Sequence, residues 1–230
     1  MNLDNIKVIA FDADDTLWVN EPFFREAEKE LCQLLIDYLP KEESNKILYQ
    51  VEMQNLKAYG YGIKPFTLSL IEAAISISDK KISIATIGKI IDIGKQMLEK
   101  PVELLDGIER TLSVLSQKYR LVVATKGDLL DQERKLIKSG LESYFHHIEI
   151  VSDKTEKHYQ KLVAHLDIQE SEFLMVGNSL KSDILPVLNI GASAIHIPFH
   201  TTWAHEVVNE KVKNPRFRSL AKVTELLELL

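Results

Sequence analysis

Ile6-Lys7-Val8-Ile9-Ala10-Phe11-Asp12-Ala13-Asp14-Asp15-Thr16-Leu17 decides the fold. The opening run has the length and apolar character of a buried strand, and it ends in carboxylates at Asp12 and Asp14. A pleated backbone projects residues i and i+2 to the same side, so the two acids face one way. Outward from this stretch, β-like runs recur at residues 121–125, 148–151, 173–177 and 192–197. Three of them lead into a polar residue: Thr125 closes the first, Lys154 follows the second and Asp183 follows the third. If the five runs lie side by side in a parallel sheet, these residues converge, because ligand sites in open α/β sheets lie outside the carboxyl ends of the strands.

Helical spacing fills the intervals. Ile108, Leu112 and Leu115 recur at that spacing, as do Leu162, Val163 and Leu166, and so do Leu220, Val223, Leu226, Leu227 and Leu230. Strands alternating with helices predict an α/β fold with a Rossmann-like parallel sheet. Between residues 19 and 100 the alternation stops, and four helical patterns follow one another at 23–38, 42–59, 67–78 and 84–98. The expected organisation is a catalytic core formed by residues 1–18 and 101–230, with residues 19–100 inserted as an all-helical cap. Hinges are expected at the two connections, the second stiffened by Pro101.

Bulk properties narrow the function. The chain of 230 residues has 28 basic and 34 acidic side chains, a net charge of −6, and no basic run suited to a phosphate backbone. Polymeric nucleic acid is therefore not an expected partner. No apolar run nears the roughly 20 residues that span a bilayer, and the amino terminus does not read as a signal peptide, so a cytoplasmic protein with no membrane association is expected. Cys32 is the only cysteine, which excludes an intrachain disulfide, and its leucine neighbours make it a small core hydrophobe.

The convergent residues define a chemistry. Two acids on one side of a strand repel each other unless a cation intervenes, and without a His or Cys cluster the implied ion is oxygen-loving, Mg²⁺ rather than zinc. A carboxylate that attacks phosphorus splits hydrolysis into two transfers. Asp12 is read as that nucleophile and Asp14 as the group that gives a proton to the leaving alcohol and takes one from water. Thr125 supplies a hydroxyl and Lys154 a compact cation to offset phosphoryl charge, while Lys157, three residues on, reads as a solvated helix lysine. Asp183 completes a metal site with Asp12 and the backbone carbonyl of Asp14.

The ordered set Asp12-Ala13-Asp14-Asp15-Thr16, Thr125 after Leu121-Val122-Val123-Ala124, Lys154, and Gly177-Asn178-Ser179-Leu180-Lys181-Ser182-Asp183 resembles the four motifs of the haloacid dehalogenase superfamily, in the subclass whose helical cap follows the first motif. The resemblance covers nearly the whole chain. It implies a Rossmann-like core and Mg²⁺-dependent hydrolysis of a small phosphorylated metabolite. It also implies phosphoryl chemistry over carbon–halogen cleavage, since members that dehalogenate lack the second acid. Three positions depart from the family pattern: Asn178 stands where an acid is frequent and reads as a contact to a metal-bound water, Asp15 stands where glycine is common, and Thr155 where proline is frequent.

Outside the motifs, Lys126 is a candidate substrate contact. So are Tyr59, Tyr61 and Lys64 of the Tyr59-Gly60-Tyr61-Gly62-Ile63-Lys64-Pro65 segment, read as a loop between two helices. His200, Trp203, His205 and Glu206 read as packing and capping. A monomer or weak dimer is expected. Two rival functions are a phosphosugar mutase that passes the aspartyl phosphate to a second hydroxyl, and a phospho-aspartate receiver module. In the receiver the phosphoacceptor lies on a later strand than the acid pair, whereas here the acid pair opens the chain.

Overall fold

The computed structural model describes residues 1–209 and 211–230. The chain divides into two compact units, residues 1–21 with 102–230, and residues 22–101.

The first unit is built on a six-stranded, all-parallel sheet with strand order β3-β2-β1-β4-β5-β6. The strands are β1 (Val8–Phe11), β2 (Arg120–Lys126), β3 (His147–Val151), β4 (Phe173–Gly177), β5 (Ser193–His196) and β6 (Phe217–Ser219). In β1, Ile9 and Phe11 point into one apolar cluster, with Leu121, Val123, Leu174, Val176 and Ile195. Val8 and Ala10 point into another on the opposite face, with Val122, Ala124, Phe173, Met175 and Ala194. Both faces are buried, which is why these strands read as continuous apolar runs rather than as alternation. Helix α5 (Ile108–Leu115) covers the first face through Ile108, Leu112 and Leu115, joined by Leu136 of α6 (Leu129–Ser139). Helix α7 (Glu156–His165) covers the second face through Tyr159, Leu162 and Val163, joined by Val187 and Leu188 of α8 (Leu185–Asn189). This is the doubly wound arrangement. Chain direction across the sheet reverses beside β1, and that places the site at the carboxyl ends of β1, β2 and β4.

The second unit contains α1, whose first residue belongs to the other unit (Glu21–Leu34), α2 (Lys41–Tyr59), α3 (Ile63–Ile77) and α4 (Ile84–Glu99). They close on one core that includes Leu31, Leu35, Leu48, Phe66, Leu70, Ile90 and Met97. Cys32 is buried here and its thiol donates to Asn45 Oδ1 at 3.0 Å. No helix among the described residues is long and apolar enough to cross a membrane.

Four details differ from the sequence expectation. Helix α1 starts at Glu21, with Pro22 inside its first turn, and stops at Leu34 rather than reaching residue 38. Helix α3 starts at Ile63 rather than at 67, so Lys64 and Pro65 belong to its first turn and only Gly60 to Gly62 link α2 to α3. Proline is accepted in a first turn because its missing N–H has no helical acceptor there. The sixth strand has three residues, two of them exposed, too short for a period to register. The tail beyond it forms one 3₁₀ turn, Val223–Glu225, and the short α9 (Leu226–Leu229) instead of a longer helix.

The crossing of α3 and α4 depends on Gly94. A Cβ there would lie 2.1 Å from Thr67 Oγ1 and 2.8 Å from Thr67 Cγ2, and the Thr67 hydroxyl is itself held by Ile63 O at 2.8 Å. Overpacking of this kind costs about 1–3 kcal/mol, against roughly 1 kcal/mol that alanine gains over glycine within a helix. Gly94→Ala should therefore lower the denaturant midpoint of unfolding, and adding Thr67→Ala should recover it. A single variant with an unchanged or raised midpoint would contradict the close approach.

Candidate active site

Each strand end delivers one part. Asp12 leaves β1 with its N–H donated to Val176 O at 2.9 Å, which fixes it beside β4. Lys154 lies in the turn between β3 and α7, with its N–H on Asp153 Oδ1 at 2.9 Å. Asp183 sits in a π-helical turn, Leu180–Ile184, after β4; such turns are rare and recur at functional sites. Asp183 is oriented by the Ser179 N–H, which donates to its Oδ2 at 2.9 Å.

These three side chains meet. Lys154 Nζ donates to Asp12 Oδ1 and, at 2.6 Å, to Asp183 Oδ1. All three are buried, with the Lys154 side chain only 3% exposed. Burial alone would lower the Lys154 pKa, but the carboxylates of Asp12 and Asp183 overcome it and hold the ammonium charged. Burial pushes the Asp12 carboxyl up to about 7; Lys154 opposes this, and the nearby charges of Asp183 and Asp14 add to it. One buried cation faces two buried carboxylates, so the cluster is short of positive charge.

The first motif folds back over itself. Thr16 Oγ1 lies 3.2 Å from Asp12 Oδ2 and 3.3 Å from Asn178 Oδ1, linking the first and fourth motifs. Asp15 adopts φ +60, a conformation glycine takes at no steric cost and aspartate tolerates. Its carboxylate accepts the N–H groups of Asn20 at 2.8 Å and Glu21 at 3.0 Å, at the start of α1. This accounts for an acid where glycine is common: the side chain does local work that glycine cannot.

Asp14 and Thr125 are tied to α6. Asp14 Oδ1 accepts from Trp18 Nε1 at 2.8 Å and Lys135 Nζ at 2.7 Å, and its Oδ2 accepts from Gln132 Nε2 at 3.2 Å. The same Gln132 nitrogen lies 2.7 Å from Thr125 Oγ1. The sequence reading missed Gln132, Lys135 and Trp18. Its one available signal was that Gln132 and Lys135 are three apart, hence on one face of the helix that follows Thr125.

Lys126 is engaged within its own unit, with Nζ 2.5 Å from Glu206 Oε1 and 3.0 Å from Ser182 Oγ. Glu206 also accepts from the hydroxyls of Ser179 and, at 2.6 Å, Ser182. Burial would raise the Glu206 pKa, but the Lys126 charge and these hydrogen bonds outweigh it and bring it to about 2. Glu206 thus does more than pack: it pins the turn that carries Asp183. Lys181 Nζ reaches His205 O at 2.9 Å on the same loop, and Trp203 packs its ring against His205 at 5.0 Å between centroids. His200 bonds Thr201 Oγ1 at 2.7 Å. In the helical unit the Tyr59 hydroxyl donates to Glu72 at 2.8 Å, while Tyr61 and Lys64 lie at the connection into α3 and in its first turn.

Among the described residues no three His, Cys, Asp or Glu side chains gather as a metal cage. The available donors are oxygens: the carboxylates of Asp12 and Asp183, the Asn178 amide oxygen and backbone carbonyls.

A doubly wound sheet with a buried Asp–Lys–Asp cluster at its carboxyl edge defines a Rossmann-like α/β enzyme core. The family model described as haloacid dehalogenase-like hydrolase matches residues 6–191, and the chain belongs to that family. It is similar to a haloacid dehalogenase-like family hydrolase from Xanthomonas campestris, with a TM-score of 0.89 and 36% identity over 98% of this chain and 90% of that one. It is 27% identical to glyceraldehyde 3-phosphate phosphatase from Methanothermobacter thermautotrophicus over 90% of this chain and 92% of the relative. It is likewise 27% identical to mouse (Mus musculus) N-acylneuraminate-9-phosphatase over 90% of this chain and 85% of the relative.

Gly177 makes room for Asp183. A Cβ at Gly177 would lie 2.3 Å from Asp183 Oδ2 and 2.5 Å from its Cγ, so Gly177→Ala must displace that carboxylate. Displacement by about 1 Å can cost on the order of 10²-fold in rate. Hydrolytic turnover should fall by that order while the protein stays folded by circular dichroism; wild-type turnover would contradict the packing.

Proposed function

We propose that the chain is a Mg²⁺-dependent phosphatase that hydrolyses a small-molecule phosphate monoester through an aspartyl phosphate on Asp12. The observation that carries this is the contact of Lys154 with both Asp12 and Asp183, with the Asp14 carboxylate, two residues from Asp12, held by three separate donors. Two of the similar proteins reported above support it, being named glyceraldehyde 3-phosphate phosphatase and N-acylneuraminate-9-phosphatase. Asp14 favours phosphoryl chemistry over dehalogenation, since it supplies a proton-transfer group that carbon–halogen cleavage does not use.

The donor set fits the metal. Mg²⁺ takes oxygen ligands, uses one or two carboxylates and retains waters. Asp12, Asp183 and the carbonyl of Asp14 would hold it, with Asn178 contacting it through water. Its charge would relieve the excess of carboxylate in the cluster and would offset charge on the phosphoryl oxygens.

In the first half-reaction an Asp12 carboxylate oxygen forms a bond to phosphorus as the ester P–O bond breaks, and the departing oxygen takes the proton from Asp14. In the second, water gives a proton to Asp14 and bonds to phosphorus, releasing phosphate and restoring the Asp12 carboxylate. Lys154 and the Thr125 hydroxyl stabilise the charge on the equatorial oxygens.

Turnover of 4-nitrophenyl phosphate should vanish with EDTA and return with Mg²⁺. Asp12→Asn, which has nearly the same shape, should reduce it to a residual level with no change in fold. Substantial turnover by Asp12→Asn would exclude the covalent route.

A further inference from the structure

We propose that Gln132 and Lys135 of α6 are positioning residues for the proton-transfer carboxylate of Asp14, with Gln132 also aiming the Thr125 hydroxyl at the phosphoryl group. This rests on the acid/base reading of Asp14.

The orientation of the Gln132 amide is decided by what surrounds it. Its Nε2 faces Thr125 Oγ1 at 2.7 Å, Asp14 Oδ2 at 3.2 Å and Lys126 O at 3.3 Å. A carboxylate and a backbone carbonyl only accept, so the amide nitrogen faces them and its oxygen does not. Because the Thr125 oxygen accepts from Gln132, its own O–H proton is directed away from the amide and is available to a ligand oxygen. One buried side chain, 3% exposed, therefore sets both the Asp14 rotamer and the direction in which Thr125 donates.

Lys135 completes the arrangement on the other oxygen. The Lys135 side chain is 16% exposed, and its ammonium lies 2.7 Å from Asp14 Oδ1, 3.2 Å from Asn20 Oδ1 and 3.9 Å from Asp131 Oδ2. Trp18 Nε1 also donates to Oδ1, at 2.8 Å. With the two short contacts both on Oδ1, Oδ2 beside Gln132 and Thr125 is the less engaged oxygen and the one left to face a ligand. A carboxyl gives up a proton productively only when that oxygen points at the leaving group. Helix α6 holds it in place, and α6 is itself anchored by Asp128, which accepts the Asp131 N–H at 3.1 Å.

The test is the dependence of kcat/KM on leaving-group acidity, from 4-nitrophenyl phosphate to an alkyl phosphate. Nitrophenolate departs without a proton, whereas an alkoxide needs one. Lys135→Met should stay within a few-fold of wild type on the nitrophenyl ester, whereas Gln132→Leu, which also releases the Thr125 hydroxyl, should lose activity on both esters. On the alkyl ester each variant should lose on the order of 10-fold more than on the nitrophenyl ester, a fraction of the roughly 10²- to 10⁴-fold that a positioned acid contributes. Lys135→Arg, which restores the charge, should return the dependence towards wild type. Asp14→Asn is measured in the same series. If Asp14→Asn steepens the dependence but Gln132→Leu and Lys135→Met lose activity equally on every ester, the positioning role is overturned while the acid/base reading stands. If Asp14→Asn leaves the dependence unchanged, the acid/base reading itself falls and the inference with it.

Discussion

A lysine ammonium buried between two carboxylates is the contact on which this site depends. Lys154 reaches Asp12, 142 residues away in sequence, and Asp183, 29 residues away. Burying any one of these charges alone would cost several kcal/mol, so none is tolerable without the others. The parallel sheet makes the meeting possible. Its order sets β3, β2, β1 and β4 side by side, and Lys154, Thr125, Asp12 and Asp183 follow or close them in that order at the same edge. Because two carboxylates share one lysine, a negative charge remains unmatched, and that deficit is the physical basis for expecting a divalent cation there.

Around this cluster lie two supports that act differently. The loop carrying Glu206 pins the π-helical turn through Lys126, Ser179 and Ser182, so the position of Asp183 depends on a residue 23 places further along the chain. On the other side, α6 holds Asp14 and Thr125 through Gln132 and Lys135. Catalytic groups held within fractions of an ångström need such supporting contacts, since rate falls steeply with misplacement. Gly177 contributes by what it lacks: without a Cβ, the Asp183 carboxylate can lie against the end of β4.

The sequence made the framework readable because the strands are buried on both faces and each stands out as an apolar run. The motif residues were readable because they occupy strand ends in a fixed order. The supports were not. Gln132 and Lys135 look like the solvated polar face of an amphipathic helix, and only the fold turns that face towards Asp14. Glu206 sits in an irregular loop whose destination no local pattern encodes. The strand Phe217–Ser219 is too short to show a period, and Pro65 suggested a loop where the chain had already entered α3. Local signals failed wherever a residue's role is set by partners distant in sequence.

The most direct measurement of the central claim is to quench turnover rapidly in acid, reduce the protein with borotritide, and map the tritium by peptide mass spectrometry. An acyl phosphate is reduced to an alcohol, so a covalent aspartyl phosphate leaves homoserine in place of aspartate. The account predicts tritiated homoserine at position 12 and nowhere else, dependent on substrate. Absence of label under turnover, or label at Asp14 or Asp183 instead, would contradict it.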